Sequence, residues 1–169
     1  YGGTAQAYYE KSAAEFSKIM EIDDDAEINL WFEDDLFCQV NFWFVVNLLQ
    51  KRSSKGSTFL VRPEIHTRFG FGGLNENELI SIFENKLLLT KTDKISELWN
   101  AYQTDDTTNL FETAKELQAD YPFILPAVEA HIQRIPKDGD PGRPVNTLIA
   151  IMKDLKTDDF QTVFKEFCV

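Results

Sequence analysis

The sequence predicts a mostly helical α/β protein, with a short parallel βαβ unit in its first half and an all-helical second half that ends in a helix-turn-helix-like pair. Three observations carry this reading. Ile28, Leu30 and Phe32 alternate with Asn29 and Trp31, the period of a strand, and a second short apolar run at 58–62 is stopped by Pro63. Between them lies the continuous apolar run LFCQVNFWFVVNLL, long enough for a buried helix and too short and too interrupted by Gln39, Asn41 and Asn47 to cross a bilayer. After about residue 90, apolar residues recur at three- and four-residue spacing in every segment.

Taken in order, residues 4–20 form an amphipathic helix, with Phe16, Ile19 and Met20 on one side and Glu10, Lys11, Glu15 and Lys18 on the other. An acidic loop, Glu21 to Asp25, leads to the first strand at 27–32. Asp34 or Asp35 caps the apolar helix. The stretch KRSSKGS at 51–57 reads as a turn, and the strand at 58–62 closes a right-handed βαβ unit. Asn75 with Glu78 three residues on is a capping box for a helix at 76–85. Ile95 to Tyr102 and Leu110 to Leu117 mark two more helices, and Pro126 sits in the first turn of a third. The turn-rich KDGDPGRP at 137–144 precedes a helix at 145–155, and Thr157 caps a last helix at 158–167. We divide the chain into an α/β lobe, 1–93, and a helical lobe, 94–169, sharing one core.

Composition bounds the function. The formal net charge of −11 repels phosphate backbones and anionic lipid, so nucleic acid and membrane are poor partners. The closing helix pair offers a base only Gln161 and Lys165 against Asp158, Asp159 and Glu166. Its expected use is packing or contact with a protein partner. Cys38 and Cys168 stand in no metal-ligand or redox spacing, which implies no metal centre and a reducing, cytoplasmic compartment. The chain opens on Tyr1 and is read as N-terminally trimmed.

The run Leu30-Trp31-Phe32-Glu33-Asp34-Asp35-Leu36-Phe37-Cys38-Gln39, and a late segment from Gly142 to Phe167, resemble the bacterial family catalogued as domain of unknown function 1835. The resemblance covers most of the chain from about residue 8. It implies an upstream α/β segment that this chain does not contain, and hence an incomplete sheet. It implies no activity, cofactor or substrate.

Two groups of residues suggest chemistry. Glu33, Asp34, Asp35 and Gln39 follow the first strand, where ligands of parallel βαβ units usually bind. They suit a hydroxyl-rich ligand or a divalent cation, or simply cap and line the helix start. Arg62, His66 and Arg68, followed by Gly70-Phe71-Gly72-Gly73, leave the second strand on the same rim and suit a phosphate or carboxylate. Their alternative role is to pair with the acids opposite. Neither GxGxxG nor the P-loop spacing is present. The expected ligand-binding set is therefore Asp34, Asp35, Gln39, Arg62, His66 and Arg68, for a small anionic molecule. No cofactor is indicated, and binding and catalysis stay open. A regulatory or protein-interaction module acting through the helical half is the alternative. His131 lies on an apolar helix side and reads as a hydrogen-bonded core residue, and Cys38 as inert packing.

Overall fold

A computed structural model describes residues 3–52, 56–64 and 69–168. The expected architecture is present. The first helical segment, α1 (residues 5–21), is capped by Thr4, whose Oγ1 accepts the Ala7 N–H. It is not uniform: a π-helical stretch, Tyr9–Ala13, interrupts it, and a 3-10 turn, Lys18–Glu21, ends it. Strand β1 (Ile28–Trp31), helix α2 (Leu36–Leu49) and strand β2 (Thr58–Val61) follow. The strands pair in parallel, Ile28 opposite Thr58 and Trp31 opposite Val61.

A third strand, β3 (Leu87–Leu88), runs antiparallel to β2, with Leu88 opposite Phe59. The sheet order is β1-β2-β3. Two residues are too few for any periodicity, so nothing in the sequence announces this strand. It enters the sheet from helix α3 (Glu76–Glu84), whose Asn75–Glu78 capping box is formed as expected.

Helices α4 (Thr92–Gln103), α5 (Thr107–Leu117) and α6 (Ile124–Gln133) stack on one another, and α4 and α6 pack on α2. A single buried cluster joins both halves. Phe42, Trp43 and Val46 of α2 and Leu60 of β2 meet Ile95, Leu98, Leu110, Leu117, Ile124 and Val128. Tyr121 anchors the α5–α6 connection: its hydroxyl accepts the Thr90 N–H at 2.7 Å and donates to the Thr90 carbonyl at 2.6 Å.

The chain closes with α7 (Arg143–Leu155) and α8 (Phe160–Phe167), packed on each other. Two expected details are corrected here. Helix α7 starts inside the anticipated turn, because Pro144 fits a first helical turn, where its missing N–H costs nothing. The cap of α8 is Asp159, not Thr157: Asp159 Oδ2 accepts the Thr162 N–H at 2.9 Å. A carboxylate directly before the first apolar residue is the better placed acceptor. Among the described residues, no helix is long and apolar enough to cross a membrane.

Candidate functional site

Each end of the parallel strand pair leaves one buried side-chain atom without a hydrogen-bond partner, Gln39 Oε1 at the carboxyl end and Arg52 Nη1 at the amino end, and the two ends differ in whether a cavity lies beside it. At the carboxyl end, β1 runs into Glu33, Asp34 and Asp35, and each acid has a local partner. Asp35 caps α2, its Oδ1 accepting the Phe37 and Cys38 N–H groups at 2.9 and 3.1 Å. Asp34 is forked by the Arg62 guanidinium, with Nε donating to Oδ1 at 2.8 Å and Nη2 donating to Oδ2. The same guanidinium stacks 4.6 Å above the centre of the Phe123 ring. Glu33 reaches across to the Gly70–Gly73 turn, where its Oε1 accepts the Phe71 N–H at 2.8 Å. Gln39, fully buried, donates from Nε2 to the Glu33 carbonyl at 2.8 Å.

The structure thus brings Asp34, Asp35, Gln39 and Arg62 to one rim. His66 and Arg68 lie outside the described residues. Four cavities among the described residues have walls that do not include Asp34, Asp35, Gln39 or Arg62. Glu33, Asp35 and Cys38 bring one ligand atom each within 4.8 Å of one another. Both carboxylates already accept backbone N–H bonds, and burial together with a hydrogen bond to Asp35 pushes the Cys38 thiol up to about 11. A protonated thiol is a poor metal ligand and a poor nucleophile. His131 is buried against Tyr102, its Nδ1 accepting from Arg134 Nε at 3.2 Å.

The amino end is different. A cavity of about 370 Å³ lies between the start of β1 and β2, β3, the C-terminus of α2 and the N-terminus of α4. Gln50, Arg52, Ser57, Thr58 and Thr92 supply its polar wall, and Ile28, Val46, Leu49, Leu88 and Leu89 its apolar one. The chain is drawn into this shape by contacts with the loop before β1. Arg52 Nη2 donates to the Ile22 carbonyl, and the Gly56 N–H donates to the Asp24 carbonyl at 2.9 Å. A Cβ on Gly56 would stand 2.0 Å from the Ala26 carbonyl oxygen, so only glycine lets the two segments close.

Arg52 decides what this cavity can hold. Its side chain is only 3% exposed, and its Nη2 lies 3.9 Å from the Asp24 carboxylate. A cation near the C-terminus of α2 is favourable, which explains its place. It does not explain Nη1, which is buried without a hydrogen-bond partner. A buried guanidinium N–H left unmade costs roughly 1–3 kcal/mol or more. Helix α4 begins at the same cavity with Lys91 at its N-cap position and no side-chain cap, so its positive end adds to the field there.

Sequence reasoning passed over these residues. The run KRSSKGS did carry a signal, a cation among hydroxyls and a glycine. The usual binding place in such folds, the carboxyl ends of the strands, outweighs that signal in a sequence. The fold and cavity together define a small α/β domain with a partly open pocket of mixed polar and apolar lining at the amino edge of its parallel strands. Compared with family models, curated proteins and solved structures, the chain finds no match in any of the three.

Proposed function

We propose that this chain is a ligand-binding α/β domain that takes a small anionic molecule, phosphate- or carboxylate-bearing, in the cavity at Arg52. The single observation behind this reading is the buried, partnerless Nη1 of Arg52 in the wall of a 370 Å³ cavity. A cavity of this size lies within the range of small-molecule sites. The Ser57, Thr58 and Thr92 hydroxyls and the α4 N-terminus suit the same ligand class. The described wall holds no histidine, cysteine or carboxylate, which favours binding over acid–base or nucleophilic catalysis. The free thiols Cys38 and Cys168 fit a reducing, cytoplasmic setting. On the run from Leu30 to Gln39 we also place the chain with the bacterial family it resembles.

The test is a thermal-shift titration with inorganic phosphate, nucleoside monophosphates and short dicarboxylates. A ligand at about 100 times its Kd stabilises by about 2.7 kcal/mol, which for a chain of this length raises Tm by roughly 5–10 °C. Arg52→Met and Thr92→Val should abolish or weaken the response, and Arg62→Met, at the opposite end, should keep it. If no anion raises Tm, or if Arg52→Met responds like the parent, the reading is wrong.

A second reading has its own observation. The α7–α8 hairpin carries seven exposed large apolar side chains, the mark of a docking surface on the helical half.

A further inference from the structure

The hairpin departs from the rest of the helical half in how it treats its apolar residues. Helices α4, α5 and α6 each bury three or four side chains. Among the described residues of the hairpin, α7 buries none and α8 only Val163. Val145, Ile149, Met152, Phe160, Phe164 and Phe167 are all left substantially in water. Phe160 is 73% exposed and Phe164 51%, and their rings stack on each other with centres 5.4 Å apart. A 13-residue helix and an 8-residue helix are too short to hold by propensity alone, so an apolar face of this kind needs cover.

We infer that this face is covered by the same face of a second copy, the two hairpins forming a four-helix contact about a two-fold axis. Area and charge select a second copy over other occupants. The first is area. The exposed parts of the apolar side chains on α7 and α8 amount to roughly 600–700 Å², above the largest patch of most monomers and close to the ~800 Å² per partner of a stable interface. The second is charge. Between residues 143 and 168, Arg143, Lys153, Lys156 and Lys165 balance Asp154, Asp158, Asp159 and Glu166, so this segment is neutral while the whole chain carries −11. An acidic chain that meets its own copy through a neutral surface avoids the like-charge repulsion that contact through its acidic surface would bring. A self-complementary patch about a two-fold axis closes as a dimer, each hairpin being covered by the other.

Sedimentation equilibrium of the full chain tests this. The parent should weigh about 39 kDa, twice 19.5 kDa, at about 100 µM and move towards monomer on dilution. The double variant Phe160→Asp with Phe164→Asp should weaken the dimer by about 100-fold or more. Val145→Asp, on the other helix, should act in the same direction. Ile80→Asp, on the exposed face of α3, should leave the dimer intact, and far-UV circular dichroism should show every variant folded. A parent chain that stays at 19.5 kDa at every concentration overturns the inference and gives the face to another partner. So does a dimer that Ile80→Asp dissociates and the hairpin variants do not.

Discussion

Replacing Gly70 by alanine puts a methyl group where the Glu33 carboxylate sits. The added Cβ would stand 1.9–2.0 Å from three atoms of that carboxylate, and Gly70 has a φ of +52°, in the left-handed region. Two costs follow. A residue with a Cβ costs about 1–2 kcal/mol in that conformation. Glu33 is long enough to swing away, so the contact is relieved by losing its hydrogen bond to the Phe71 N–H, which removes about 1–3 kcal/mol more from this half-buried turn. The sum of about 2–5 kcal/mol corresponds to a fall in Tm of roughly 5–20 °C. A double-mutant cycle separates the terms. In a Glu33→Ala background the carboxylate is gone and Gly70→Ala should cost only its backbone term, so the two changes should couple by the hydrogen-bond term, about 1–3 kcal/mol, in urea denaturation. Strict additivity, or a Gly70→Ala cost under about 1 kcal/mol, would refute the idea that the Gly70–Gly73 turn is latched to the rim through Glu33.

Tyr121→Phe removes both partners of Thr90 while keeping the buried ring, and should destabilise by about 1.5–3 kcal/mol. Native-state hydrogen exchange should show the Thr90 amide losing protection first. His131 should make stability fall on acidification. Burial, and then the neighbouring Arg134, hold its pKa below the ordinary 6.5, so the unfolded chain takes up the proton first as pH drops. The stability is fully present above about pH 6.5 and declines below it, down through the folded-state value. Melting curves between pH 7.5 and 5 check this, and His131→Gln should flatten that part of the profile. An unchanged slope in the variant would remove His131 from the account.

What the sequence could show depended on how far apart the interacting groups lie along the chain. The Asp35 cap and the Asn75–Glu78 capping box bridge two or three residues, so their chemistry stands in the local spelling. The rim was legible for a related reason: Asp34 and Arg62 leave neighbouring parallel strands, and parallel pairing follows from a strand, an apolar helix and a strand in succession. Their roles were less so. The expected ligand set at the rim includes a caught ion pair and a helix cap, because a carboxylate looks the same in a string of letters whether or not an arginine holds it.

The amino-acid order alone determined most of the element types and the parallel pair, because periodicity and capping act between near neighbours. Only the tertiary structure decided that Leu87–Leu88 would become a strand, that Arg52 would be buried against carbonyls some thirty residues away, and that the closing hairpin would keep its phenylalanines in water. Each of these depends on which distant surfaces meet, and which surfaces are left unmet, once one core has closed.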